Sequence, residues 1–310
     1  MRILVTGGTG MVGSAFKNVQ TDHQLVLVGS ADYDLRHSSD CRCMIADHQP
    51  DAIIHLAAKV GGVKGNTDYV ADFFRDNILI NTNLLDAAKN QNINKVVSLL
   101  STCIYPDSPT YPLTEDQIHN GEPHQSNFGY AYAKRMLEVH SRAIRQQYGL
   151  NYVTAVPNNL YGENDNFDLN SGHVIPAIIR KVYEAKQNGN QAKFWGTGRP
   201  MREFTYSRDI AKILLWMVEN YSSPIPLNIG SPADISIYNL VLKIQSMLSM
   251  WTTQHRSVWD DQMPEGQFKK PSSNNRFQEL CPDFVYTDLN VGLEKTIEWF
   301  LTEYPNVRGI

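Results

Sequence analysis

Short apolar runs alternate, along the first half of the chain, with longer stretches in which apolar positions recur every three or four residues. Runs at 2–6, 24–28, 52–55, 95–100 and 151–156 predict β-strands. Their length and near-continuous apolar character suit strands covered on both faces. The helical spacing falls near 11–20, 38–48, 68–91 and 127–149. Strand and helix in alternation imply parallel strands joined by crossover helices, so the pattern predicts an α/β fold with a Rossmann-type doubly wound parallel sheet. After Gly162 the pattern loosens, with Asn, Asp, Gly and Pro from 163 to 173 and from 188 to 200. Residues 205–230 return to helix-then-strand, ending on Leu227-Asn228-Ile229-Gly230. The stretch 260–275 reads as irregular, and a helix at 291–304 closes the chain. The expected division is a first domain of residues 1–163 and 204–230, and a smaller α/β C-terminal domain of 164–203 and 231–310. No internal repeat is visible.

Composition narrows the function classes. A chain of 310 residues can bury a sizeable core, and a formal net charge of −4 offers no basic excess for nucleic acid or an anionic membrane. No apolar run approaches the ~20 residues of a membrane span; the longest, 213–218, is a short helix face. The chain enters a strand at once, with no secretory signal ahead of it. The four cysteines are Cys41, Cys43, Cys103 and Cys281. Cys41-x-Cys43 has no second ligand pair, so no metal site is expected, and no disulfide framework is visible. A reducing, cytoplasmic setting fits.

Candidate chemistry sits where strands end. Arg2 to Thr6 runs into Gly7-Gly8-Thr9-Gly10-Met11-Val12-Gly13 and then a helix. Glycines at 7, 10 and 13 in that context point to dinucleotide binding. Gly7 permits the turn, Gly10 lets a pyrophosphate approach the helix N-terminus, and Gly13 lets helix and strand pack closely. Ser101-Thr102-Cys103 and Pro157-Asn158-Asn159-Leu160 follow later strands, at the end that faces the ligand crevice of such a sheet. Tyr130 and Lys134 lie one helical turn apart and can meet on one face. The positive charge is expected to draw the phenol's pKa down towards the working pH, making a proton-transfer pair.

Taken together, these residues resemble the extended short-chain dehydrogenase/reductase family. The resemblance runs from Met1 to about Phe300. Its narrower parts are Ser101 to Pro106, Asn127 to Lys134, Asp165-Asn166-Phe167, Gly172 to Pro176, Trp195 to Gly198 and Met201 to Phe204. They are similar to the branch that acts on GDP-4-keto-6-deoxymannose, epimerising C3 and C5 and reducing C4 with NADPH. The resemblance implies a GDP-sugar substrate, NADP(H) as cofactor, and a homodimer built on the long helices at 68–91 and 127–149.

Residue roles follow from the same likeness. Tyr130 is implied as proton donor to the C4 oxygen, Lys134 as the group that holds the nicotinamide ribose, and Ser101 as a hydrogen-bond donor to that oxygen. Cys103 is implied as base and His173 as acid of the epimerisation, a thiol near a cation and an imidazole titrating near neutrality. The cofactor wall is implied to include Gly7, Thr9, Gly10, Met11, Val12, Gly13, Ser30, Asp34, Leu35, Leu56, Ala57, Ala58, Leu99 and Pro157, with Tyr130, Lys134 and His173. The substrate is implied to meet Ser101, Asn159, Leu160, Val174, Lys181, Trp195, Arg202 and Lys270, with Lys269 the alternative to Lys270. His55 reads instead as a satisfied buried histidine.

Two points cut against a simple transfer. Gly29-Ser30-Ala31-Asp32-Tyr33, after the second strand, lacks the Arg or Lys expected of an NADP site, and Asp32 would repel a phosphate if it faced the pocket; Arg36 could reach inward, but Asp34 and Leu35 intervene. The NADPH preference is therefore expected to be soft. Related dehydratases carry an acid two places past the Ser/Thr. Here that place is Cys103, which argues against dehydration, and a plain 4-epimerase has no need of the Cys103/His173 pair. A non-catalytic dinucleotide sensor on this fold is disfavoured by the intact Ser101/Tyr130/Lys134 set.

Overall fold

The computed structural model describes residues 1–249, 257–262 and 268–310. The first layer is built from β1 (Arg2–Thr6), α1 (Met11–Ala15), β2 (Gln24–Val28), α2 (Ser38–His48), β3 (Ala52–His55), α3 (Val63–Asp68), α4 (Val70–Asn90), β4 (Lys95–Leu99), α5 (Phe128–Tyr148) and β5 (Asn151–Val156). The chain then passes through β6 (Asn159–Tyr161), α6 (Val174–Gln187), β7 (Lys193–Trp195), β8 (Met201–Tyr206), α7 (Ser207–Asn220), β9 (Leu227–Asn228), β10 (Asp234–Ser236), α8 (Ile237–Met247), β11 (Val258–Asp260), α9 (Asn275–Leu280) and α10 (Leu289–Glu303).

Six parallel strands form the main sheet in the order β2-β1-β3-β4-β5-β9. The expected doubly wound sheet is thus present, and its strands fall where the apolar runs do. Alternation within each strand feeds two cores. Ile3 and Val5 join Ile54, Val97 and Val153 beneath α1 and α7. Leu4 joins Ile53, Val96 and Tyr152 beneath α2, α4 and α5. Each such side chain, fully buried, contributes roughly 1.5–3 kcal/mol of apolar transfer. The order reverses between β1 and β3, and a ligand crevice opens there beyond the carboxyl ends of the strands.

The second body has its own core, from Tyr161, Phe167 and α6 through Phe204, α8 and α10. Its strands are short: β8 lies between parallel β6 and antiparallel β10, and β7 pairs with β11. The change of core falls within β6, for Leu160 packs on the first core and Tyr161 in the second.

Three features depart from the sequence reading. The expected helix at 68–91 is α4, but a separate short helix, α3, precedes it, divided from it where Tyr69 leaves the helical region with φ −123° and ψ 41°. The expected helix at 11–20 is one short helix and a 3-10 turn at Phe16–Asn18. Residues 277–286 do not lie with the rest of 231–310. Phe277, Phe284 and Tyr286 form an aromatic cluster that packs back on the first core, with Phe277 edge-on to Trp216 of α7. Residues 263–267 of the stretch expected to be irregular lie outside the described residues. No described helix is long and apolar enough to cross a membrane.

Candidate active site

A cleft with a volume of about 1380 Å³ opens over the carboxyl ends of β1, β3, β4 and β5 and runs on to the second body. The glycine loop forms its floor. Gly7 has φ +70°, and a Cβ there would lie 2.9 Å from the Ala57 nitrogen. A Cβ on Gly13 would lie 2.3 Å from the Gly7 oxygen. Only glycine fits either place. Gly10 caps α1 through its backbone, with no side chain across the helix end. Backbone N–H groups in that first turn face a cradle suited to a diphosphate. Thr9, Met11, Val12, Ser30, Leu56, Ala57, Ala58, Leu99 and Pro157 all line the same cleft.

The end of β2 differs from the sequence reading. Asp32 accepts a hydrogen bond from Gly29 N at 2.7 Å, turns back into its own turn and does not line the cleft. Asp34 and Leu35 line it, and so does Arg36. The Arg36 guanidinium grips Asp34 through Nε at 2.9 Å and Nη2 at 2.6 Å, and lies 3.7 Å from Asp76. That grip holds the Asp34 carboxyl down at about 2, even though partial burial opposes it. Arg36 therefore does reach the cleft wall past the intervening residues. His55 is structural, as expected: Nδ1 bonds Thr6 Oγ1 at 2.8 Å and Nε2 bonds Asn81 Oδ1 at 3.0 Å. Burial, helped by the Lys134 charge, pulls it down to about 3, so the ring is neutral.

The candidate reacting groups line one part of the cleft. Tyr130 and Lys134 share the inner face of α5, beside Ser101 and Cys103 at the end of β4. Lys134 is 2% exposed, its Nζ donates to the Leu99 carbonyl at 2.7 Å, and it stands 6.0 Å from the centroid of the Tyr130 ring. The expected downward pull on the phenol is not met. Burial pushes Tyr130 up, and the nearby Cys103 adds to that. Desolvation also lowers Lys134 to about 8, against a small raising effect of Cys103. A phenol that keeps its proton is the right state for a donor. Cys103 sits on a tight turn, and its N–H donates to Ser101 Oγ at 3.4 Å. Burial pushes the thiol up; the Ser101 contact and then the Lys270 and Lys134 ammoniums pull it back only in part. The cations expected near the thiol are present, but burial outweighs them.

His173 caps the start of α6, with Val174 next to it on the wall. Its Nδ1 lies 3.9 Å from Asp165 Oδ1. The Asp165 contact raises the imidazole's pKa, ahead of a lowering by burial. Asp165 is a site residue absent from the sequence reading, though it stands in one of the segments that carry the resemblance. Asn159 is fixed by its amide on the Glu203 carbonyl at 2.9 Å, with Leu160 beside it. Trp195 is 61% exposed at the rim. Arg202 donates to the Met201 carbonyl at 2.7 Å and lines the cleft. Lys270 lines it too, whereas Lys269 pairs with Asp234 at 2.5 Å, which separates the two lysines. Lys181 stands outside the cleft, its ammonium 5.5 Å from the centroid of the Trp195 ring and 5.8 Å from that of Phe194. It reaches the site only by backing Trp195. No cluster of three or more His, Cys, Asp or Glu side chains able to hold a metal occurs among the described residues.

A parallel sheet with a glycine-rich first turn, and a Ser-Tyr-Lys set opposite it, defines the class. Residues 3–230 match the model of the NAD dependent epimerase/dehydratase family, and the chain belongs to that family. Particular relatives are similar over nearly full length. A GDP-L-fucose synthase of Dictyostelium discoideum is 41% identical, covering 99% of this chain and 97% of that one. A probable GDP-L-fucose synthase of Drosophila melanogaster is 37% identical, with 99% of both chains covered. The crystal structure of a GDP-L-fucose synthetase from Naegleria fowleri bound to NADP superposes with a TM-score of 0.93 at 38% identity, covering 99% of this chain and 94% of that one.

Proposed function

We propose that this protein converts GDP-4-keto-6-deoxymannose to GDP-L-fucose, by epimerisation at C3 and C5 and NADPH-dependent reduction at C4. The observation that carries the reading is the meeting, in one cleft, of Ser101, Tyr130 and Lys134 with Cys103 and His173. The first three suit a carbonyl reduction; the last two add an acid and a base that a simple reductase does not need. The relatives named above support the substrate, and the NADP-bound neighbour supports the cofactor.

The glycine cradle fits a dinucleotide diphosphate, and Ser30 and Arg36 lie where the far ribose of such a cofactor would be held. Bound NADPH supplies the hydride for C4. Ser101 and Tyr130 hold the C4 oxygen, and that polarisation acidifies the C3 and C5 protons. Cys103 takes a proton from one face of the sugar and His173 returns one to the other. To act as base the half-buried Cys103 thiol must first lose its own proton to solvent, a loss that desolvation opposes and the Lys270 and Lys134 ammoniums assist. Tyr130 then gives its proton to the C4 oxygen, and Lys134 holds the ribose and offsets the charge left on the phenol. Trp195, Arg202 and Lys270 bind the nucleotide end, an aromatic wall with two cations for the diphosphate.

In this reading residues 1–163 and 204–230 carry the cofactor and the rest carries the nucleotide sugar. The protein acts in the cytoplasm, where a catalytic thiol stays reduced. It forms a homodimer through α4 and α5, which pack along each other and leave Phe74 and Met136 exposed. The test is to incubate it with the keto sugar and NADPH in deuterated water. Oxidation of NADPH with deuterium at both C3 and C5 of the product is expected. Oxidation without deuterium would reduce the protein to a plain ketone reductase.

A further inference from the structure

The loop between β6 and α6 brings Asp165 and His173 to one corner of the cleft. Asp165 is 3% exposed; its Oδ1 accepts from Asn166 N at 2.7 Å and faces His173 Nδ1. Its Oδ2 is enclosed, with no hydrogen-bond partner among the described residues. An enclosed carboxylate oxygen is costly, and the cost falls when a neighbouring imidazole holds a proton.

Residues 307–310 clamp this loop. Phe167 N donates to the Arg308 carbonyl at 2.8 Å, and Arg180 Nη1 bridges the carbonyls of Phe167, at 3.1 Å, and Gly309, at 2.8 Å. Gly309 has φ +93°, and a Cβ on it would fall 2.4 Å from Asn166 Oδ1. Val307 is buried in the second core. From this fixed backbone the Arg308 side chain joins the cleft wall, and no hydrogen bond or ion pair among the described residues engages its guanidinium.

The geometry points to residues 307–310 as part of the active site: they fix the loop that carries Asp165 and His173, and Asp165 and Arg308 act through His173 as positioning residues of opposite charge. The inference rests on the reading of His173 as the epimerisation acid. Asp165 raises the imidazole and Arg308 lowers it. Other charges nearby are spent elsewhere. Asp168 is taken up by Asn170 and Ser171, and Arg180 by Glu184 and the two carbonyls. The Asn66 amide, on the neighbouring segment, is turned onto Gly61 and Gly62. Across the cleft stand Cys103, Tyr130, Lys134 and Lys270. An acid works best with a pKa near the working pH. Asp165 keeps His173 charged, and Arg308 keeps it willing to release its proton.

The test is an NMR titration of the histidines in the full chain, with His173→Asn to assign the signal. Arg308→Gln is expected to move the His173 titration to higher pH, Arg308→Lys to keep it near wild type, and Asp165→Asn to move it lower. The alkaline limb of deuterium uptake at C3 and C5 should follow in the same directions. Asp165→Asn should lose about tenfold in uptake above neutrality, part of the ~10²–10⁴ that a positioned acid supplies. An unmoved titration and limb in Arg308→Gln would make Arg308 a surface arginine and overturn the inference. Because no hydrogen bond or ion pair among the described residues engages that guanidinium, the variant decides the matter even if Asp165→Asn fails to fold. Should the wild type take no deuterium from solvent into the keto sugar, the functional reading fails, and the titration still judges Arg308.

Discussion

Desolvation raises the pKa of the half-buried Tyr130 phenol, which favours its protonated form, and lowers that of the buried Lys134 to about 8. Two expectations follow at this scale. Tyr130→Phe keeps the ring and removes the donor, so NADPH oxidation should fall ~10²–10⁴-fold with nucleotide-sugar affinity nearly unchanged. Near-normal turnover would remove Tyr130 from the chemistry. Lys134 is charged below its pKa, so its hold on the ribose is present at neutral pH and lost as pH rises through about 8. The kcat/KM for NADPH, followed from pH 6 to 10, should fall on that alkaline side, and Lys134→Met should show a low, flat profile over the same range. The identity of these residues was legible in the chain because each stands in a short contiguous motif. Their protonation was not, because it depends on how much water the fold removes, and here desolvation outweighs the neighbouring charge. Asp165 escaped notice, and the inward reach of Arg36 stayed open, for a related reason: each depends on where the side chain turns, which spacing does not record.

Elements show the same contrast. Four of the five strands of the first layer, β1, β3, β4 and β5, were readable because they are covered on both faces and so are mostly apolar, and β2, half-buried at the sheet edge, because Leu25 to Val28 is an unbroken apolar run. Three-residue strands such as β7 and β10, partly exposed, leave no such trace. The turn at the end of β1 is tightly constrained. Gly13→Ala should destabilise the protein by about 1–3 kcal/mol in urea unfolding, as an overpacked contact between α1 and the loop. Unchanged stability would mean that the helix shifts freely. At the end of β2, Arg36 on the cleft wall is expected to firm the NADPH preference. A charge-assisted contact to phosphate contributes ~1.5–3 kcal/mol, so Arg36→Gln should cut the NADPH over NADH ratio of kcat/KM by roughly 10–100-fold. Ala31→Lys, which supplies a cation from the same turn, should restore part of it. An Arg36→Gln ratio equal to wild type would leave the turn's backbone and Ser30 as the phosphate contacts.

For the whole molecule, α4 and α5 present an apolar face with Phe74 43% and Met136 40% exposed. Sedimentation at micromolar concentration should give a dimer, and the double variant Phe74→Glu, Met136→Glu a monomer. A variant that still sediments as a dimer would place the interface elsewhere. The order of the main sheet has a consequence for synthesis. β1 to β5 emerge from the ribosome nearly in succession, but the strand that completes the sheet, β9, comes only after the whole chain from Asn159 to β8 and α7. At about 5–20 residues per second, the open edge of β5 waits for seconds with unpaired ladder groups and an apolar flank. The nascent chain is most open to wrong partners in that interval, and a trigger-factor-like or Hsp70-like holdase would have most to do there.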